Sequence, residues 1–216
     1  MAVSATPPPI LPVRKGRMSD EDRRTQLIDA AETVFLETGF HASTMDDIAR
    51  QAGMSKKTVY QVFPSKSGLF EALLMDRCSL HMVSIEDDER PPAAILQDVL
   101  CRAVAHALTE RQIAILRLMV AETPRAPEIT AALHTLGVGK ANGGLEKWLA
   151  TKQAEGVLKI ADPKEAATML FWGAAGDAII QTLLNKGPPP TIAVIERRVA
   201  HVVRNFFRDM EEAERA

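Results

Sequence analysis

The chain is poor in cysteine, with only Cys78 and Cys101 among 216 residues. Two thiols cannot build a disulfide framework, so a reducing, cytoplasmic setting is expected. No strong charge of one sign is present either: the formal net charge is −2. Global electrostatics therefore point to no polyanionic partner, and any basic surface has to be local. Long apolar runs are missing. The most apolar stretch, Ala166 to Leu184, is interrupted by Thr168, Asp177, Gln181 and Thr182, which argues for a buried helix and against a membrane span. The opening residues have no basic start followed by an apolar core, so they do not read as a signal peptide. Sustained two-residue alternation is absent, which excludes any extensive sheet, and no internal repeat is visible.

Catalytic signals are equally scarce. The glycine-rich stretch LHTLGVGKANGGLEKW would need glycine at 134 and serine or threonine at 141 to form a Walker loop. It has His134 and Ala141. No dinucleotide fingerprint fits. Cys78, His81, Cys101 and His106 could in principle ligate a metal, but nothing in their spacing brings the four together. His106 and Glu110 share a helical face without a nucleophile or a phosphate loop. The expectation is a protein that is not an enzyme and needs no cofactor or metal.

What remains is helical periodicity. Residues 1–19 are proline-rich and carry Arg14, Lys15 and Arg17, either as a solvated tail or as a basic arm along DNA. Leu27, Ile28, Ala31, Val34 and Phe35 then recur on one face of a helix that Gly39 closes. Thr44 is an N-cap with Asp47 at the third helical position, opening a short helix to Gln51. Gly53 makes a tight turn, Ser55 caps a second short helix, and Pro64 stops it before a longer helix bearing Leu69, Phe70, Leu73 and Leu74.

Two short helices crossing steeply through a tight turn make definite demands. Met45 and Ile48 supply apolar contacts, and Ala49 lets the backbones approach. Gly53 tolerates positive φ, Met54 plugs the junction, and Val59, Val62 and Phe63 return apolar groups. Lys56, Lys57, Thr58, Tyr60 and Gln61 are then left facing outward. Such a helix spans about 10 Å at 1.5 Å per residue, near the ~12 Å width of the DNA major groove. Arg50, Lys56, Lys57, Lys66 and Arg77 outnumber Glu71 and Asp76 between Ile48 and Arg77, which reads as a local basic footprint.

The stretch TMDDIARQAGMSKKTVYQVFPSKSGLFEALL resembles the DNA-binding domain of TetR-family transcriptional regulators, and RRTQLIDAAETVFLETGFHAST resembles the same family's first helix. The resemblance implies an all-α chain with a three-helix DNA-binding domain over 20–66 and a helical effector-binding and dimerisation domain over 67–216. It assigns DNA contacts to Thr44, Ser55, Lys56, Lys57, Thr58, Tyr60, Gln61 and Lys66. The start of the fourth helix, Ser65–Lys66–Ser67, would also suit a phosphate. Partners would be double-stranded operator DNA with two-fold symmetry, an unknown small-molecule effector and a second copy of the chain.

The rest of the chain carries weaker signals. Helices are expected near 93–108, 110–122, 127–136, 140–155, 163–185 and 190–214. Asp162–Pro163–Lys164–Glu165 is a good helix start. Met119, His134, Trp148, Phe171 and Trp172 are candidates to line a pocket for a hydrophobic or amphipathic effector. Leu170, Gly173, Ala174, Ala175 and Gly176, with Ile195, Val199, Val202 and Phe206, are candidates for a dimeric four-helix interface. The same residues could serve a single-chain core. The function expected is a DNA-binding regulator, a repressor released by its effector. The alternative is a helical nucleoid-type DNA-binding protein without an effector.

Overall fold

The computed structural model describes residues 18–78, 89–124 and 143–213. Among them are nine helices and no strand: α1 (Asp20–Thr38), α2 (Met45–Gln51), α3 (Lys56–Val62), α4 (Lys66–Cys78), α5 (Pro92–Ala107), α6 (Glu110–Glu122), α7 (Gly143–Ala154), α8 (Pro163–Leu183) and α9 (Ile192–Ala213). The expected helix over 127–136, the N-terminal arm and His134 lie outside the described residues.

Local chemistry accounts for most of these boundaries. The Ser19 and Thr44 side chains accept the N–H of the third helical residue, and Asp22 and Asp47 reach back to the cap backbone. Each box satisfies two otherwise orphan donors. Asp162 accepts from the N–H groups of Lys164 at 2.8 Å and Glu165 at 3.1 Å, with Pro163 at the first helical position. Phe63 is extended (φ −129°, ψ 105°), as the residue before a proline must be, which ends α3.

The helices enclose two apolar cores. The first gathers Leu27, Val34 and Phe35 of α1, Ile48 of α2, Val59 of α3 and Leu69, Phe70, Leu73 and Leu74 of α4. At its centre Phe35, Phe40 and Phe70 pack with ring centroids 4.9 to 5.5 Å apart. The second joins α5, α7, α8 and α9 through residues such as Leu100, Leu149, Ala167, Ala175 and Val199.

Helix α6 belongs to both cores. Ile115, Leu118 and Met119 enter the first, Ile113 enters the second, and Leu116 packs against each. Its polar side chains also reach both ways. Arg111 meets the Glu32 carboxylate of α1 through two contacts of 2.5 Å, and Arg77 of α4 meets the same carboxylate at 2.8 Å. Glu122 accepts the His41 backbone N–H at 3.0 Å. Arg117 donates to the Thr182 carbonyl at 2.7 Å and to Asn185 Oδ1 at 2.6 Å, beyond the last turn of α8. Gly39 adopts φ +84° where α6 touches the α1–α2 turn, a conformation that favours glycine, and a Cβ there would also oblige the Glu122 carboxylate, 2.7 Å away, to shift.

Candidate nucleic-acid interface

The turn between α2 and α3 is held from three sides. Gly53 adopts φ +63°, a conformation that favours glycine. The Met54 N–H reaches the Ala49 carbonyl at 2.9 Å, and Gln26 of α1 donates to the Ala52 carbonyl at 2.8 Å. Met45, Ile48, Ala49, Val59 and Phe63 are buried, while Met54 and Val62 are half-buried, so the expected junction forms. Helix α3 is thereby fixed rigidly with one face outward.

On that face Lys56, Lys57 and Gln61 are exposed, and Tyr60 is 50 % exposed. These side chains carry donors that could reach phosphates and base edges. Ser55 and Thr58 are engaged locally: Ser55 Oγ accepts the Thr58 N–H at 3.1 Å and lies 2.8 Å from Thr58 Oγ1. Thr44, at the start of α2, is exposed and gives its own N–H to Asp47 at 3.0 Å. The Thr44 hydroxyl and N–H, with Arg50, hold the Asp47 carboxyl below the ordinary aspartate range.

Lys66 departs from the sequence expectation. Its ammonium donates to the carbonyls of Phe40 at 2.6 Å, His41 at 3.3 Å and Ser43 at 2.8 Å, and lies 4.6 Å from the centre of the Phe40 ring. An ammonium has three N–H donors, and here all three have carbonyl acceptors in reach, so this side chain pins the α1–α2 turn. The start of α4 is likewise capped internally, with Gly68 N–H donating to Ser65 Oγ at 3.0 Å.

The expected basic footprint also shrinks. Arg50 pairs with Asp47 at 2.5 Å, and Lys56 pairs with Asp46 of α2. Arg77 is withdrawn into contacts with Glu32, Asp29 and Asp76. Lysines and arginines cluster here in sequence, but neighbouring carboxylates neutralise much of their charge. Asp46 and Gln26 shape this face and carried no sequence signal, because each acts through a residue far along the chain.

The other candidates fall into two places, with Phe171 and Trp172 in edge-on ring contact at 5.8 Å. Met119 lies in the first core, away from the second-core residues Trp148 and Phe171, and Trp172 is 38 % exposed on the outside of α8. Trp148 is buried, and its Nε1 has no hydrogen-bond partner among the described residues. Of the candidate interface residues, Leu170, Ala174, Ala175, Ile195 and Val199 are buried within the protomer itself, so they cannot meet a partner directly. Gly173 is exposed, and Gly176, Val202 and Phe206 are half-buried. The outward stripe of α8 runs instead through Met169 (67 % exposed), Trp172, Gly173, Gly176 and Ile180 (51 % exposed). No helix among the described residues is long and apolar enough to cross a membrane.

Known proteins share both halves of this arrangement. A family model described as bacterial regulatory proteins, tetR family, matches residues 27–73. One described as AefR-like transcriptional repressor, C-terminal domain, matches residues 94–209. The HTH-type transcriptional activator FasR of Mycolicibacterium smegmatis is 48 % identical over 61 residues, 28 % of each chain. The HTH-type transcriptional regulator TtgR of Pseudomonas putida is 32 % identical over 92 residues, 41 % of this chain and 44 % of that one. The chain thus spans less than half the length of these curated relatives. Among solved structures, Flavonoid-responsive Regulator FrrA superposes with a TM-score of 0.71 at 27 % identity, covering 88 % of this chain and 97 % of that one. A TetR family regulator of Pseudomonas syringae pv. tomato gives 0.64 at 26 % identity, covering 86 % and 94 %.

Proposed function

The chain belongs to the tetR family of bacterial regulatory proteins, DNA-binding transcriptional regulators and not enzymes, and from that premise we propose that it is a homodimeric repressor released from its operator by a small amphipathic effector. The observation that carries the DNA-binding reading is α3. It is short, anchored by buried Val59 and Phe63, and presents exposed Lys57, Tyr60 and Gln61. Two such helices, one per protomer, would read half-sites one helical turn apart, about 34 Å. Lys56 and Thr58 of α3, its N-cap Ser55 and the α2 N-cap Thr44 are further candidate contacts.

The effector reading rests on the second core. An indole N–H buried without a partner costs on the order of 1–3 kcal/mol, and an effector carrying an oxygen acceptor near Trp148 would satisfy it. Phe171 of the same core is retained as an apolar contact. Release would run through α6. That helix holds α8 through Arg117, α1 through Arg111 and the α1–α2 turn through Glu122. An effector favouring a different seat of α6 would change the spacing of the two α3 helices, so that both half-sites could not be engaged together.

Enrichment of a random duplex pool on the purified protein tests this reading. The expected product is one motif with two-fold symmetry, and Lys57→Ala and Tyr60→Ala should each weaken its binding at least about fivefold, of the order of one lost contact to a charged group, with unchanged circular dichroism. Sequence-indifferent, steeply salt-dependent binding with no enriched motif would instead favour the nucleoid-type alternative.

A further inference from the structure

We propose that Arg24, outside the helix-turn-helix, is a DNA-phosphate contact that brackets α3 from the end opposite Lys57. The proposal rests on the DNA-binding reading and begins with the disposition of cations. Residues 18–78 contain seven lysines and arginines: Arg23, Arg24, Arg50, Lys56, Lys57, Lys66 and Arg77. Arg23 pairs with Asp20, Arg50 with Asp47, Lys56 with Asp46, and Arg77 with Glu32. Lys66 is engaged by three carbonyls. Arg24 and Lys57 are exposed and have no carboxylate partner among the described residues.

Arg24 is also held in place. Its guanidinium carbon lies 4.9 Å from the centre of the Phe63 ring, and Phe63 is the buried residue that ends α3. Stacking on an aromatic face restricts the guanidinium plane while its edge N–H groups stay available to a phosphate. The base of the side chain is fixed too, because Gln26, two residues along α1, is bonded to the α2–α3 turn. Lys57 stands in the first turn of α3 and Arg24 beside its last residue. A seven-residue helix separates them by about 10 Å, comparable to the ~12 Å between the phosphate walls of a major groove. One uncompensated cation thus stands toward each wall.

A purely structural Arg24 would only cover Phe63, and its loss would change stability without changing the number of phosphates neutralised. The slope of log affinity against log salt separates the two roles. With the enriched duplex, measured between about 50 and 200 mM salt, Arg24→Gln should lower affinity and reduce the slope by about 0.9 per protomer. Arg24→Lys, which keeps the charge, should retain the wild-type slope. Should the glutamine variant fail to fold, Arg24→Met keeps an apolar stem over Phe63 and gives the same readout. A wild-type slope in the uncharged variant overturns the assignment, whatever its melting temperature. A wild-type protein that binds no duplex sinks the DNA-binding reading together with it.

Discussion

Lys66 shows how one side chain can carry a recognisable sequence signal and still serve another purpose. Its place before Leu69 and Phe70 identifies the start of α4, yet the direction of its ammonium depends on the α1–α2 turn, more than twenty residues earlier. No local pattern encodes that. Removing it leaves three carbonyls to find new donors. A charged hydrogen bond contributes roughly 1.5–3 kcal/mol, and three on one ammonium are not additive. Lys66→Met is therefore expected to cost about 2–3 kcal/mol, lowering Tm by about 5–10 °C, as thermal circular dichroism would record. A Tm within a degree of wild type would restore the phosphate role. Lys57, Tyr60 and Gln61 were legible because buried Val59 and Phe63 leave them only one side to occupy. Arg24 was not, since its partner Phe63 lies on a different helix.

At the scale of elements, boundaries were readable wherever the cap is local. Thr44, Ser55, Pro64 and Asp162 each act within three residues of their own position, and the helices begin or end where they imply. Contacts between elements were not readable. Glu32 lies on the inner side of α1 and is only 7 % exposed, which in sequence is one more acidic residue on an amphipathic helix. Burial alone would push its pKa up, but hydrogen bonds from Arg111 and Arg77 and their positive charges outweigh that and bring it below the ordinary value. A lowered folded-state pKa gives stability that is present above the unfolded value, about 4.3, and lost as pH falls through the folded one. Stability measured by Tm should accordingly fall with acidification below about pH 4.3. Glu32→Gln should flatten that part of the profile and cost about 3 kcal/mol at neutral pH, because two arginines lose their buried counter-charge. A parallel profile in the mutant would show that other carboxylates dominate the acid response.

For the whole molecule, the all-helical architecture was legible from periodicity, while the outward side of α8 was not. That helix is apolar nearly all round, so sequence could not separate Ala174 and Ala175, which face the protomer's own core, from Met169, Trp172 and Ile180, which do not. The proposed dimer should therefore use the latter stripe. Met169→Glu combined with Ile180→Glu is expected to give a folded monomer in sedimentation velocity and to weaken operator binding, since two half-sites would no longer be joined. A double mutant that sediments like wild type would move the interface elsewhere. Finally, α6 bears on how such a chain can be recombined. Ile115, Leu118 and Met119 complete the core under α3, while Ile113 and Arg117 serve the other half. Grafting only the first four helices onto another scaffold would cut through that shared packing. The smallest transplantable DNA reader is α1 to α4 with the matching face of α6, a discontinuous unit that shuffling of contiguous gene segments cannot easily exchange.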